Sequence, residues 1–434
     1  MLQGRFKINK FSFVVIFAAL YPILPNYFSI GGIYIRNLLA IAIFFLFGLK
    51  IKIPKEKNNL YAYVLIWIGV ISCIQILHLD VKYALQQLII WVLCLPVLIS
   101  TITTKKRFLK MIDVIICAST VVGVFGIIEE ITHFNIFSLI NLADYTLNYN
   151  APRMGLLRII SFSSHAISYC VYCMFVLAII FYRLTLKGTK HKLFYVFSYF
   201  LICINAFLTL SRSALLCIIA SQLILLWKCG HKRFIKRIFL LLLGATILIA
   251  GASAVNKDVA NAVQIAFYII FALFNDNAAE YLISIGFTNN ANGIGQRFVL
   301  YQWVWQAVKD NLLIGMGRTA AFARNYITAA GNRLTKESIE IEWLRTLYRY
   351  GILGLLSEIL FFIKFLISSF KAQKLKMKNN WEGNLSFASM TFTVILLYIV
   401  VLFAVMQNED AQMLYILLIL FIAYVKHDGY GEFT

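Results

Sequence analysis

Charge is what this chain lacks. Charged residues fill 14% of its 434 positions, where about 25% is usual for a soluble domain. That scarcity, beside a hydrophobic content of 61% and a mean hydropathy of +0.80, excludes an ordinary soluble enzyme, which needs no such apolar surface. Acids are scarcest: 19 Asp and Glu against 40 Lys and Arg. No small-residue cleavage site follows the basic start Arg5, Lys7, Lys10 and the apolar run Phe11–Ala19; Pro22 and Pro25 come instead. A first membrane span is therefore expected rather than a removable signal peptide. No repeat of fixed period and no separate soluble domain are visible.

What is present is a close series of apolar runs. Ile41–Gly48, Tyr61–Leu77 and Phe239–Val255 sit in windows near the roughly 20 residues that cross hydrocarbon as a helix. The fold class expected is all-α, a polytopic integral membrane protein and a single transmembrane domain over residues 1–434. The formal net charge of +21 would suit nucleic acid, but its distribution does not. Lys and Arg gather in short runs between spans: Lys50 and Lys52, Lys105–Arg107, Lys187–Lys192, Lys232–Arg237 and Lys371–Lys378. That is the positive-inside pattern, which fixes orientation, so no nucleic-acid partner is expected. Seven of the eight cysteines fall within apolar runs and Cys229 in a basic joint, so no disulfide framework is expected and Cys170/Cys173 read as small core residues.

With the basic joints on the cytoplasmic side, twelve spans fit without a parity error: near 11–28, 30–49, 60–78, 83–101, 111–130, 163–183, 193–210, 212–228, 238–255, 344–368, 384–406 and 412–426. Both termini are then cytoplasmic. The outer side receives Asn26–Ile30, Leu79–Lys82, a loop over 132–162, the tight joint at Ser211, Gln407–Gln412 and one long loop over 256–342. Helix connections usually run to about 2–8 residues, so chain spent on that scale on one side points to work done there. The long loop is almost neutral. Its Val259–Phe274 and the aromatic Phe298–Val308 fit short interfacial helices with rings at headgroup level.

Several residues in these outer segments carry chemistry. Arg212, in Thr209-Leu210-Ser211-Arg212-Ser213, stands between two apolar runs. An arginine in hydrocarbon costs about 2.5–3.5 kcal/mol even on lenient scales, so Arg212 either anchors two outer span ends or faces an outward cavity that holds an anion. Its planar fork suits phosphate oxygens. Arg297 follows Gly293 and Gly295 at the start of an amphipathic stretch. Arg153 and Arg158, in the smaller outer loop, are surface or headgroup arginines, or substrate contacts. Glu337, Glu340 and Glu342 end the long loop: either a solvated first helical turn or a carboxylate placed as general base toward a hydroxyl. His165 has no partner at metal-ligand spacing and reads as a polar contact at the outer mouth. Arg36 reads as snorkelling outward, and Glu129-Glu130 as the outer end of the fifth span.

Together these residues resemble the O-antigen polymerase and ligase group. Thr209-Leu210-Ser211-Arg212-Ser213 is similar to that group's T-x-S-R-[ST] segment. Arg297, Trp303, Ala307, Asn311–Gly315 and Gly317 are similar to its R…W..A segment ending in G.G. Glu340–Leu344 followed by Gly351–Gly354 resembles the block that opens the next span. In the ligase branch that block is expected to begin with His-Asn. Here Glu340 stands in that place and the long loop has no histidine, which points to a Wzy-type polymerase over a ligase.

The resemblance implies an inverting, metal-independent glycosyltransferase with no cofactor, on the outer face of a bacterial cytoplasmic membrane. It would move a glycan from undecaprenyl diphosphate to a hydroxyl of an incoming lipid-linked repeat unit, for capsule, exopolysaccharide or O-antigen. Glu340 would be the base, and Arg212 and Arg297 the charge on the leaving diphosphate. Arg153, Arg158, Glu342 and His165 would touch substrate. A chain-length regulator and a flippase of the same pathway are implied partners. An O-antigen ligase and a transporter or flippase of the same glycolipid are the alternatives.

Overall fold

The computed structural model describes residues 10–30, 33–47, 59–141, 157–230, 244, 251, 292–327, 333–378, 382–405 and 411–427, without the side chains of Arg212, 292–299, 326–327, 333–334 and 376–378. Among them, five helical stretches are long and apolar enough to cross a membrane: Leu60–Leu77, Val81–Thr101, Lys105–Thr132, Ala166–Thr185 and Glu342–Leu375. Six shorter apolar helices accompany them. These eleven lie at eleven of the twelve positions expected from the sequence. The ninth, 238–255, falls outside the described residues apart from Gly244 and Gly251, as do Arg153 and loop residues 256–291, Val259–Phe274 among them. The count of twelve remains an expectation.

The chain opens with α1 (Lys10–Leu20), shorter than the expected 11–28 because Pro22 and Pro25 sit just beyond it and lack the amide a helix needs. A two-residue hairpin, β1 (Ser29–Ile30) and β2 (Ile33–Tyr34), pairs Ser29 with Tyr34 and leads into α2 (Ile35–Phe47). Next come α3 (Leu60–Leu77), α4 (Val81–Gln87), a π-helical stretch Leu88–Cys94 and α5 (Leu95–Thr101). The wider π turn loosens the backbone ladder. Tyr61 donates to the Val92 carbonyl at 2.6 Å and Tyr415 to that of Ile90 at 2.7 Å.

At the centre stands α7 (Ala166–Thr185), 17 of whose 20 residues are buried. It is apolar all round, as a helix surrounded by helices should be. Around it lie α6 (Lys105–Thr132), α8 (Lys192–Leu208) and α9 (Arg212–Lys228). In hydrocarbon, helices are joined by close packing and hydrogen bonds rather than by expulsion of water. Ser119 and Tyr172 share a hydrogen bond of 2.7 Å, and Thr120 donates to Ser198 at 2.8 Å. All eight cysteines are free.

The described part of the long loop is ordered around α10 (Asn292–Val308) and a second hairpin, β3 (Arg324–Ile327) and β4 (Arg333–Lys336), with Arg324 opposite Lys336. Leu300, Val304 and Val308, with Trp303 and Ala307, follow helical spacing and are buried or partly buried. Leu300 and Val304 join Phe322, Ile339, Ile341, Leu344 and Tyr348 in a small apolar core separate from the main one. So Trp303 and Ala307, singled out by sequence, seat the loop on the bundle. After it follow α11 (Glu342–Ala372), α12 (Phe387–Val401) and α13 (Ala411–Lys426).

Candidate functional site

Helix α11 is broken at Gly351, whose φ of 62° and ψ of −165° interrupt the ladder. The segment Leu312–Gly317 fills the break. Ile352 N donates to Leu312 O at 2.8 Å, Met316 N to Tyr348 O at 2.8 Å, and Gly317 N to Arg349 O at 3.0 Å. Loop backbone thus replaces the helical partners lost at the kink. Two glycines allow so close an approach. A Cβ on Gly351 would lie 2.4 Å from the Leu313 carbonyl, and one on Gly315, itself at φ 68°, would lie 2.5 Å from Gly351 N. Positive φ adds strain for any other residue. The glycines of the loop motif and of the following span therefore form one interlocked joint.

That joint aims the first half of α11. Glu342, Arg345, Thr346 and Arg349 recur at i, i+3, i+4 and i+7, which places them on one helical face. The Glu342 amide donates to the carbonyls of Leu402 and Val405, at 3.1 and 3.2 Å, so the helix start is satisfied by the end of α12. Arg318, next to Gly317, is fixed from outside: its amide donates to Asp80 at 3.0 Å, Thr319 donates to the other Asp80 oxygen at 3.0 Å, and its guanidinium lies 4.3 Å from the centre of the Tyr83 ring. His78 donates to the Ile314 carbonyl at 3.4 Å.

The face so aimed lines a cavity of about 370 Å³. Arg318, Arg345 and Arg349 form one wall and Arg36 joins them from α2. Arg36 is buried instead of reaching outward, and donates to Leu24 O at 3.0 Å and to Asn26. The carboxylates are Glu342, which pairs with Arg345 at 2.5 Å, and Glu358, which accepts from Thr346 at 2.7 Å across the kink. Four guanidiniums against two carboxylates leave the cavity positive, so its chemistry suits an anion with several oxygens. Among the described residues, no group of three or more His, Cys, Asp or Glu could hold a metal ion.

The other candidates are distributed as follows. Glu340 is exposed and pairs with Lys336; it does not line the cavity. Arg158 is buried and donates to Thr209 O at 2.9 Å and to Ser211 Oγ at 3.2 Å. It thereby holds the turn that starts α9 at Arg212. His165 caps α7, its Nδ1 accepting from Ile167 N at 3.1 Å. Arg158 and His165 do not line the cavity that Glu342 lines. Arg297 lies on α10 and Arg212 begins α9; their side chains, like all of Arg153, are outside the described residues. Arg345 and Arg349 escaped sequence reading because they sit inside an apolar run. The i, i+3, i+4, i+7 polar stripe opening that run was the available signal.

Residues 197–358 match the O-Antigen ligase family. The match is consistent with a Wzy-type polymerase or ligase, a class of membrane enzymes that handle glycans. The family segment supplies α11 down to Glu358, the glycine joint, three of the four cavity arginines and both carboxylates. No curated protein matches the chain.

Proposed function

We propose that this protein is a polysaccharide polymerase that joins undecaprenyl-diphosphate-linked repeat units. The observation that carries the reading is the arginine-walled cavity, three of whose four arginines come from the segment that matches the O-Antigen ligase family. The growing glycan leaves its lipid diphosphate and a hydroxyl of the incoming unit attacks the anomeric carbon: the new C–O bond forms as the bond to phosphate oxygen breaks, and the hydroxyl proton passes to a base. Negative charge grows on the diphosphate, and fixed donors there lower the barrier. Arg318, Arg345 and Arg349 are suited to that work, and Arg212 and Arg297 are proposed for it from the sequence.

Glu340 is the base proposed from sequence. The cavity favours Glu342, two residues on, because Glu342 lines it while Glu340 pairs with Lys336 outside. The cavity also gathers Asn26, Arg318 and Gln412, from segments that the charge pattern puts on the outer face. Arg153, Arg158 and His165 remain proposed contacts or supports of substrate. The Glu340-for-His departure supports polymerase over ligase.

The test supplies purified protein with lipid-linked repeat units alone. A ladder of longer glycans is expected, and its loss in Arg212→Ala and Arg297→Ala proteins that still insert normally. No ladder from the wild-type protein, with transfer to a different acceptor, would replace the polymerase with a ligase; transport across vesicles without any new glycosidic bond would replace it with a flippase.

A further inference from the structure

The cavity has a second wall of different chemistry. From α4 and the π-helical stretch, Tyr83, Gln86, Gln87, Ile90 and Trp91 line it at i, i+3, i+4, i+7 and i+8, one helical stripe. Asn37 of α2 faces the same space and donates to Gln86 Oε1 at 3.2 Å. Trp67 of α3 adds its indole, which stacks on Phe361 with centroids 4.6 Å apart. Three polar atoms on this wall are buried and take no hydrogen bond from the chain: Gln86 Nε2, a donor; Gln87 Oε1, an acceptor; and Trp67 Nε1, a donor. Leaving such atoms unmet is costly, so the wall suits a ligand that both donates and accepts. A phosphate only accepts. A sugar hydroxyl does both, and an amide does both in return.

We propose that this amide wall is a sugar subsite: Gln86, Gln87, Asn37 and Trp67 bind the hydroxyls of the sugar joined to the diphosphate that the arginine wall holds. The assignment rests on the proposed function for its lipid diphosphate. It goes beyond that reading in dividing the cavity into two ends. The charged end comes mainly from residues 318–358, inside the family segment, and the amide end from residues 37–87, outside it. A common phosphate grip and a separate sugar reader would let one reaction serve different glycans, with specificity set by α2, α3 and α4.

The experiment measures the affinity of the purified full chain for two probes: bare undecaprenyl diphosphate, and the same lipid carrying the oligosaccharide purified from the producing cells. Gln87→Met keeps side-chain volume and removes the acceptor; Trp67→Phe keeps the ring on Phe361 and removes the donor. Each is expected to weaken binding of the glycosylated lipid by about tenfold, the worth of one hydrogen bond, and to leave the bare lipid unchanged. Equal losses for both probes would make these side chains supports of the cavity's shape and overturn the subsite, as would no loss for either. Selective loss in a protein that builds no ladder would uphold the subsite while the polymerase reading fails.

Discussion

Two polar clusters stand in this helical bundle, and they spend their hydrogen-bonding groups in opposite ways. At the end of α6, Glu129 accepts the amides of Ile160 and Ser161 on its two oxygens, at 3.1 and 2.8 Å. Asn205 gives its amide to the carbonyls of Gly123 and Leu201 and takes the Tyr169 hydroxyl at 2.9 Å. Gly126 is the gap that admits it: a Cβ there would lie 2.0 Å from Asn205 Oδ1. Arg158 is tied to Thr209 and Ser211. These groups cross-link helices. In the α11 cavity, by contrast, guanidiniums outnumber carboxylates and buried amide atoms lack chain partners. Burying unbalanced charge in a membrane protein is costly, and a fold retains it where a ligand supplies the balance. One cluster spends its groups on holding helices together; the other leaves charge and polar atoms that a ligand would meet.

The strongest way to break this contrast is to neutralise carboxylates on either side of the cavity wall. Glu342→Gln should lower ladder formation by about 10²–10⁴, the range of a general base, while Glu340→Gln should stay within a few-fold of the wild type. Initial rates with lipid-linked repeats decide it. Near-normal turnover in Glu342→Gln with collapse in Glu340→Gln would return the base to the exposed position.

The arginines come next. Arg349→Ala should cost about 10²–10³ in turnover, as loss of one preorganised donor to developing charge does, with binding of bare undecaprenyl diphosphate weakened as well. If Arg349→Ala and Arg158→Ala reduce diphosphate binding alike, the division into a structural and a ligand-holding cluster fails.

Gly351→Ala tests what sets the cavity's shape. Its Cβ would meet Leu313 at 2.4 Å in a backbone with positive φ. Strain of that kind costs about 1–3 kcal/mol before any clash is relieved. A lower unfolding midpoint is expected together with lost binding of both lipids, because the Leu312–Gly317 segment and Arg318 move as one. An unchanged midpoint would mean that the joint is looser than its geometry.

Legibility in the sequence followed the physics of each feature. Apolar length and basic runs are properties of contiguous residues, so helices lie where eleven of the expected spans were placed. The glycines at 315, 317 and 351 were visible as a motif, yet their meaning, backbone against backbone across a break, depends on two segments meeting. Arg36 read as a snorkelling residue because its partners, Leu24 and Asn26, lie across a turn that apolar periodicity does not describe. Glu340 drew notice by its motif position; facing the cavity falls to Glu342, because the helix starts there and its face is set by Arg345 and Arg349.

The smallest expected effect belongs to Arg158→Lys. Lysine keeps the charge but not the fork, and one ammonium on a flexible stem does not replace two bonds set at 2.9 and 3.2 Å to Thr209 and Ser211. About 1.5–3 kcal/mol is the usual worth of a hydrogen bond to a charged group, and lysine should recover part of it, so the unfolding midpoint should fall modestly. Turnover should fall only a few-fold, through a less firmly held turn before Arg212, and affinity for the bare lipid should not change. Were Arg158→Lys instead to lose lipid affinity as Arg349→Ala does, the α6–α9 cluster would be part of the binding site, and the closed hydrogen bonds seen there would belong to a state that opens for substrate.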